Sequence, residues 1–145
     1  MAFHFSLATL LRVRGVLEER EERMLQKIQF EISQTIETLG RTDAEIAESN
    51  DSRMADVLKP LIGRHLHASY GAVTNLKQNR TDIVGQIAKL EELRDRQLIV
   101  YEGARRNREM LTDIREDKLS EYASDMARLE QKALDDTYIA KRRRA

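Results

Sequence analysis

Residues 25–46 read LQKIQFEISQTIETLGRTDAEI, and within them Leu25, Ile32, Leu39 and Ile46 recur every seven residues. A seven-residue apolar repeat keeps one stripe of a helix turned toward a neighbouring helix, so this stretch predicts a coiled-coil seam. Toward the N terminus Leu7, Leu10, Leu17, Met24 and Ile28 extend the apolar stripe. Leu17, Ile28 and Leu39 also fall at an eleven-residue spacing, which is compatible with a straighter, long-pitch stretch. The run Glu18-Glu19-Arg20-Glu21-Glu22-Arg23 sets opposite charges within i,i+4 reach and reads as an exposed outer face. Ser6 is the expected N-cap, with Phe5 and Leu10 placed as a hydrophobic staple around it.

The pattern breaks after Asn50. Pro60, Gly63 and Gly71 follow, together with Val57, Leu58, Leu61, Ile62, Leu66 and Tyr70, more apolar residues than one seam needs. Proline lacks the amide that a helix interior requires but fits a first turn, so a bend is expected, followed by a short or kinked helix. A second long helix then carries two seven-residue series. One is Ile83, Leu90, Gln97, Ala104, Leu111 and Lys118; the other is Ile87, Arg94, Tyr101, Arg108, Arg115, Tyr122 and Leu129. Leu119, Met126 and Ala133 shift that register by one. Polar members such as Arg94, Gln97 and Arg108 dilute the seam, and residues of this kind fix register at a cost in stability. Gly85 and Gly103 each weaken the helix by about 1 kcal/mol relative to alanine.

The expected fold is therefore all-α, a long antiparallel two-helix coiled-coil hairpin in a single domain spanning residues 1–145. Its expected parts are helix 1 over about 6–50, a bend and short helix over about 51–72, helix 2 over about 73–138 and a basic tail over 139–145. At 1.5 Å per residue, a helix of about 45 residues spans ~68 Å, so a rod is expected, with both termini at one end and the 51–75 region at the other.

Composition agrees with this reading. Charged residues make up 34% of the 145, apolar ones 41%, with one Pro, no Trp and only three Phe and four Tyr. That supply suits a seam between helices and is too small for a wide aromatic core. Disorder would require the apolar residues to lack a helical period, and they have one. Net charge is zero, which predicts no strong pull toward nucleic acid or anionic lipid. Without Cys there are no disulfides or thiolate metal sites. Met1 to Leu11 lacks the basic start of a signal peptide, and no segment approaches the ~18 apolar residues of a membrane span. A soluble, cytoplasmic product is expected.

No catalytic constellation is legible. His65 and His67 stand at i and i+2, on different faces of a helix, which is poor geometry for one metal ion. His4 stands apart from both. There is no glycine-rich phosphate loop, no zinc-ligand set and no nucleophile elbow. Carboxylates are abundant, but a two-helix rod offers no wall to desolvate a pair and separate their pKa values. The sequence predicts neither an enzyme nor a resident cofactor. Lys141-Arg142-Arg143-Arg144 is either a solvated tail or, meeting Arg12 and Arg14 at one end of the rod, a cationic tip for an acidic protein surface. A nucleic-acid role would need a wider basic face than this segment has, since Glu130, Asp135 and Asp136 precede it.

Two terminal segments carry a family resemblance. Phe3-His-Phe-Ser-Leu-Ala-Thr-Leu-Leu-Arg-Val-Arg14 resembles the aromatic-x-aromatic, x-Leu, x-x-Leu-Leu, x-x-Arg opening of the FliJ family of flagellar export proteins. Arg128-Leu-Glu-Gln-Lys-Ala-Leu-Asp-Asp136 resembles the Arg, Glu-Gln-Lys, x-Leu-Asp-Glu/Asp stretch near that family's C terminus. The resemblance implies a soluble component of the flagellar type III export apparatus, peripherally associated with the inner membrane through protein partners. Family members look like the gamma-subunit stalk of rotary ATPases. They insert a terminal end into the hexameric export ATPase FliI, engage the export gate FlhA and shuttle substrate-specific chaperones. By position, the ATPase-facing residues would be Leu7, Leu10, Leu11, Arg12, Arg14, Arg128, Gln131, Lys132, Leu134, Asp135 and Asp136. For the leucines, seam packing is an equally open reading. Leu66 and Tyr70 are the candidates for the gate, on their surplus apolarity alone. A monomer or weak dimer with no nucleic-acid partner is expected. The alternative is a general coiled-coil scaffold or chaperone unconnected with an ATPase.

Overall fold

The computed structural model describes residues 2–57 and 63–145. Two helices account for nearly all of them, α1 over Ala8–Val57 and α2 over Gly63–Arg144, with no strand among the described residues. The two helices pack against each other, as expected of an all-α hairpin. Two boundaries differ from the sequence expectation. Residues 51–57 continue α1, and residues from Gly63 onward already belong to α2, so the described residues of 51–72 form no separate short helix. Pro60, Leu58, Leu61 and Ile62 lie outside the described residues. The expected basic tail is also helical, because α2 runs through Arg144. Its four basic residues occupy the last turn, where cations offset the negative end of the helix dipole.

The start of α1 is closed by the backbone. The Ala8 amide donates to the Phe5 carbonyl at 3.1 Å and the Leu11 amide to the Leu7 carbonyl at 2.9 Å. The residue whose carbonyl accepts the first helical bond is the cap, which makes it Leu7 and not Ser6. Phe5 is buried at this entry, so the aromatic opening of the chain is an anchor.

Contacts group the chain into two compact units. The first comprises Met1–Arg20 and Tyr101–Ala145, the second Glu21–Val100. In the second unit the strongest burial falls on Leu25, Ile28 and Ile32 of α1 and on Val73 and Ile83 of α2. Leu39, Ile46, Leu76, Ile87 and Leu90 are half-buried beside them. Leu25, Ile32, Leu39 and Ile46 are the predicted heptad column, now seen facing inward. A second inward column lies between them: Ile28, Thr35, Thr42 and Ser49. Thr42 is buried and donates to the Thr38 carbonyl at 3.0 Å; Thr35 donates to Glu31 at 2.7 Å. Bonding to the preceding turn satisfies these hydroxyls and lets threonine occupy a seam without an orphaned donor. The two helices run antiparallel here, since Asp43 of α1 meets Arg80 of α2 at 2.6 Å while Glu21 meets Gln97.

In the first unit the seam has a different chemistry. Glu18 faces Arg108, with its side chain 13% exposed against 31% for the arginine. These are the inward positions, and Leu10 and Leu17 stand beside them on the exposed side. The sequence reading is therefore inverted at this point. Glu18, and Glu21 in the second unit, belong to the seam and not to the outer face, whereas Leu10, Leu17 and Met24 flank it. The cause lies in the facing helix, whose inward columns at 94, 97 and 108 carry Arg, Gln and Arg. Carboxylates opposite Gln97 and Arg108 give charge-assisted hydrogen bonds that leucines could not.

Candidate partner-binding site

The polar seam joins the two helices through side-chain hydrogen bonds in each unit. Arg108 Nε donates to Glu18 Oε2 at 2.5 Å and its Nη2 to Oε1 at 3.2 Å, a two-pronged pair. The hydrogen bond from Arg108 holds the Glu18 carboxyl below its ordinary value of 4.5, against the opposing effect of burial; the charges of Arg108 and Arg105 add to the lowering. Arg108 is correspondingly raised, chiefly by the same hydrogen bond. In the second unit, Gln97 Nε2 donates to the Glu21 side chain at 2.5 Å and to its backbone carbonyl at 3.1 Å. These contacts set which residue of α1 faces which residue of α2 in each unit, and so hold the register.

The predicted partner residues divide into two groups, both within the first unit. In the N-terminal group Leu11 and Arg14 are half-buried in the inward columns, whereas Leu7, Leu10 and Arg12 are exposed. Phe3 packs on Tyr122 with ring centroids 5.6 Å apart. Leu10 and Arg14 border a shallow cavity of about 180 Å³ with Asn107, Met110, Leu111 and Ile114 of α2. The C-terminal group lies farther along α2, where every residue from Ala127 to Ala145 is exposed. There Arg128 stands 3.9 Å from Asp125, and Gln131 donates to Asp135 at 3.1 Å. Lys132, Leu134 and Asp136 also lie open on this stretch.

The two groups do not merge. Arg14 lies opposite Asn107 and Leu111, and Lys141 follows about 30 residues later on the same helix, or about 45 Å at helical rise. A single cationic tip combining Arg12, Arg14 and the basic run is thereby ruled out. The helical rise separates groups that a compact end would have joined. For the residues suggested for a gate, Tyr70 is exposed and lies under the Arg53 guanidinium, 3.9 Å from ring centre. The side chain of Leu66 is outside the described part of the structure. His65 and His67 are exposed, and no cluster of potential metal ligands occurs among the described residues. Among these residues no helix is long and apolar enough to cross a membrane.

Sequence reasoning missed Glu18, Glu21, Thr35 and Thr42 as inward residues. The one available signal was spacing. Glu18 stands seven residues before Leu25, and Glu21 seven before Ile28.

No curated protein and no solved structure matches the chain significantly. Comparison with protein families finds the family described as flagellar FliJ protein, matched over residues 3–145. That match spans both terminal motifs and both helices. Its members are components of flagellar export and not enzymes. The chain belongs to the FliJ family.

Proposed function

We propose that this chain is the stalk and adaptor of the flagellar type III export apparatus. Its terminal end enters the ring of the export ATPase FliI and promotes the assembly and turnover of that ring. It also links the ring to the export gate FlhA and to substrate-specific chaperones. In this reading the protein is cytoplasmic and reaches the inner membrane only through its partners, as a monomer or weak dimer. The supporting observation is the C-terminal stretch of α2, fully exposed from Ala127 onward and carrying the Arg128 to Asp136 motif. A helix of this kind is slender enough to occupy the axis of a ring and offers its whole circumference for contact.

The polar members of the motif carry most of the specificity. Gln131, Lys132, Asp135 and Asp136 are not needed for any seam, and Leu134 adds exposed apolar area. Leu7, Leu10, Leu11, Arg12 and Arg14 form the second ATPase-facing group; Leu66 and Tyr70 remain the candidates for the gate. Nucleotide chemistry belongs to the ATPase. This chain acts by binding ring conformations with unequal affinity, which is the only way a binding partner can shift them.

The test is ATP turnover and hexamer formation by the cognate ATPase, with and without the full chain. Stimulation that is lost on deleting residues 128–145, with hairpin helicity retained, supports the proposal. Absence of stimulation by the folded full-length chain overturns it and leaves the scaffold reading, which predicts tight binding to a helical client without any effect on the ring.

A further inference from the structure

The first unit presents more apolar surface than its own seam uses. In a two-stranded coil only the two inward columns of each helix need to be apolar, and a third apolar column is the pattern of a helix that faces two neighbours. Here Glu18 fills an inward position while Leu10 and Leu17 occupy the adjacent column outside it. The facing helix matches them with Met110 and Ile114. Leu10, Met110 and Ile114 remain 41%, 62% and 40% exposed, and all three border the same cavity. Ile114 also borders the next cavity along, with Phe3, Leu7 and Lys118, so the two cavities adjoin at this residue, and we read them as one groove.

The charge of the groove narrows the occupant. Arg14, Lys118 and His4 line it, and no carboxylate does. Lys118 has a partner in Glu121 at 3.4 Å, but that pair is open to solvent and contributes little, so the ammonium can exchange partners. A second copy laid on this face would bring the same cations against themselves. We infer that the groove formed by Leu7, Leu10, Met110 and Ile114 docks one acidic amphipathic helix of a partner protein, completing a three-helix layer. Its leucine-type residues fill the groove, and its carboxylates meet Arg14 and Lys118. Leu7, Leu10 and Arg14 are shared with the ATPase-facing group proposed above, but the inference is tested on the isolated chain with a peptide and no ATPase, so the two readings fail separately.

The experiment measures binding of the full chain to a labelled helical peptide of three heptads, with leucines on one face and glutamates elsewhere. A matched peptide carrying lysine for glutamate is the control. Expected are binding of the glutamate peptide about tenfold or more tighter than the lysine peptide, and a several-fold loss in Lys118→Glu. Met110→Glu, at an exposed position, is expected to weaken binding about tenfold while helicity by circular dichroism is unchanged. Equal affinity for the two peptides overturns the inference. So does insensitivity to Met110→Glu, which would mean that the peptide inserts into the α1–α2 seam. A dimer in sedimentation equilibrium that Met110→Glu dissociates would assign the groove to a second copy and likewise overturn it.

Discussion

The two units solve the same packing problem with opposite chemistry. In the second, Leu25, Ile28, Ile32, Val73 and Ile83 bury aliphatic carbon between the helices. In the first, a two-pronged Glu18–Arg108 pair occupies inward positions beside Leu11 and Leu111, and Leu10 and Leu17 stand outside it. Aliphatic burial is non-directional and gives stability in proportion to area. A charge-assisted pair is directional: it fixes alignment strongly and contributes less net stability, because both groups lose hydration. The second region therefore supplies most of the cohesion, while polar contacts fix register in both, Glu21–Gln97 in the second and Glu18–Arg108 in the first. The ionic seam also leaves its leucines free for a further neighbour.

The contrast can be broken most sharply in the aliphatic region. Ile32→Ala removes a buried side chain with little scope for collapse and is expected to cost about 2–3 kcal/mol. Equilibrium urea unfolding followed by circular dichroism measures this, and a loss under about 0.5 kcal/mol would show that this seam is not the cohesive one. The ionic region should respond less, and in a way that depends on solution conditions. Arg108→Ala leaves Glu18 half-buried without its partner, and a cost of about 1–2 kcal/mol is expected, between the values for exposed and buried pairs.

The pH dependence of this pair has a definite sign. Hydrogen bonding from Arg108 lowers the Glu18 carboxyl below 4.5, so the pair stabilises the folded chain above that value and is lost as pH falls through the lowered one. Hydrogen-exchange protection factors, which normalise for the intrinsic slowing of exchange in acid, should fall at amides of residues 14–20 and 104–112 as pH is lowered, and Glu18→Gln should remove that component. Equal acid sensitivity in the variant would assign it to other carboxylates. The smallest expected effect is at Gly85, an exposed helical glycine with open space where a Cβ would sit. Gly85→Ala should stabilise the second unit by at most ~1 kcal/mol, seen as a small rise in the unfolding midpoint.

The legibility of the sequence followed the same division. In the aliphatic region the heptad at Leu25, Ile32, Leu39 and Ile46 identified the inward column directly, because apolar residues fill it. Both columns of α2 were also legible, from Ile83 to Leu111 and from Ile87 to Arg108, despite the polar members; beyond these Arg115, Lys118 and Leu129 of the expected series are exposed and only Tyr122 is half-buried. On α1 the reading failed at Glu18 and Glu21. Leu10, Leu17 and Met24 form an equally regular column one position away, and hydrophobicity alone prefers the leucines. Thr35 and Thr42 were passed over for a related reason: their hydroxyls are satisfied within their own helix, which composition does not reveal. The terminal motifs were legible as a family signature, and the family match extends over residues 3–145.

By itself the sequence determined the helical class, the presence of two long helices and the family, since periodicity and terminal motifs are local properties of one chain. Tertiary structure decided which of two adjacent columns on α1 faces inward. It also decided where the helices end and how far the basic run stands from Arg14. The physical reason is that an inward column is chosen jointly by both helices. Arg108 and Gln97 on α2 demand carboxylates opposite them, and that demand turns Glu18 and Glu21 in and Leu10 and Leu17 out.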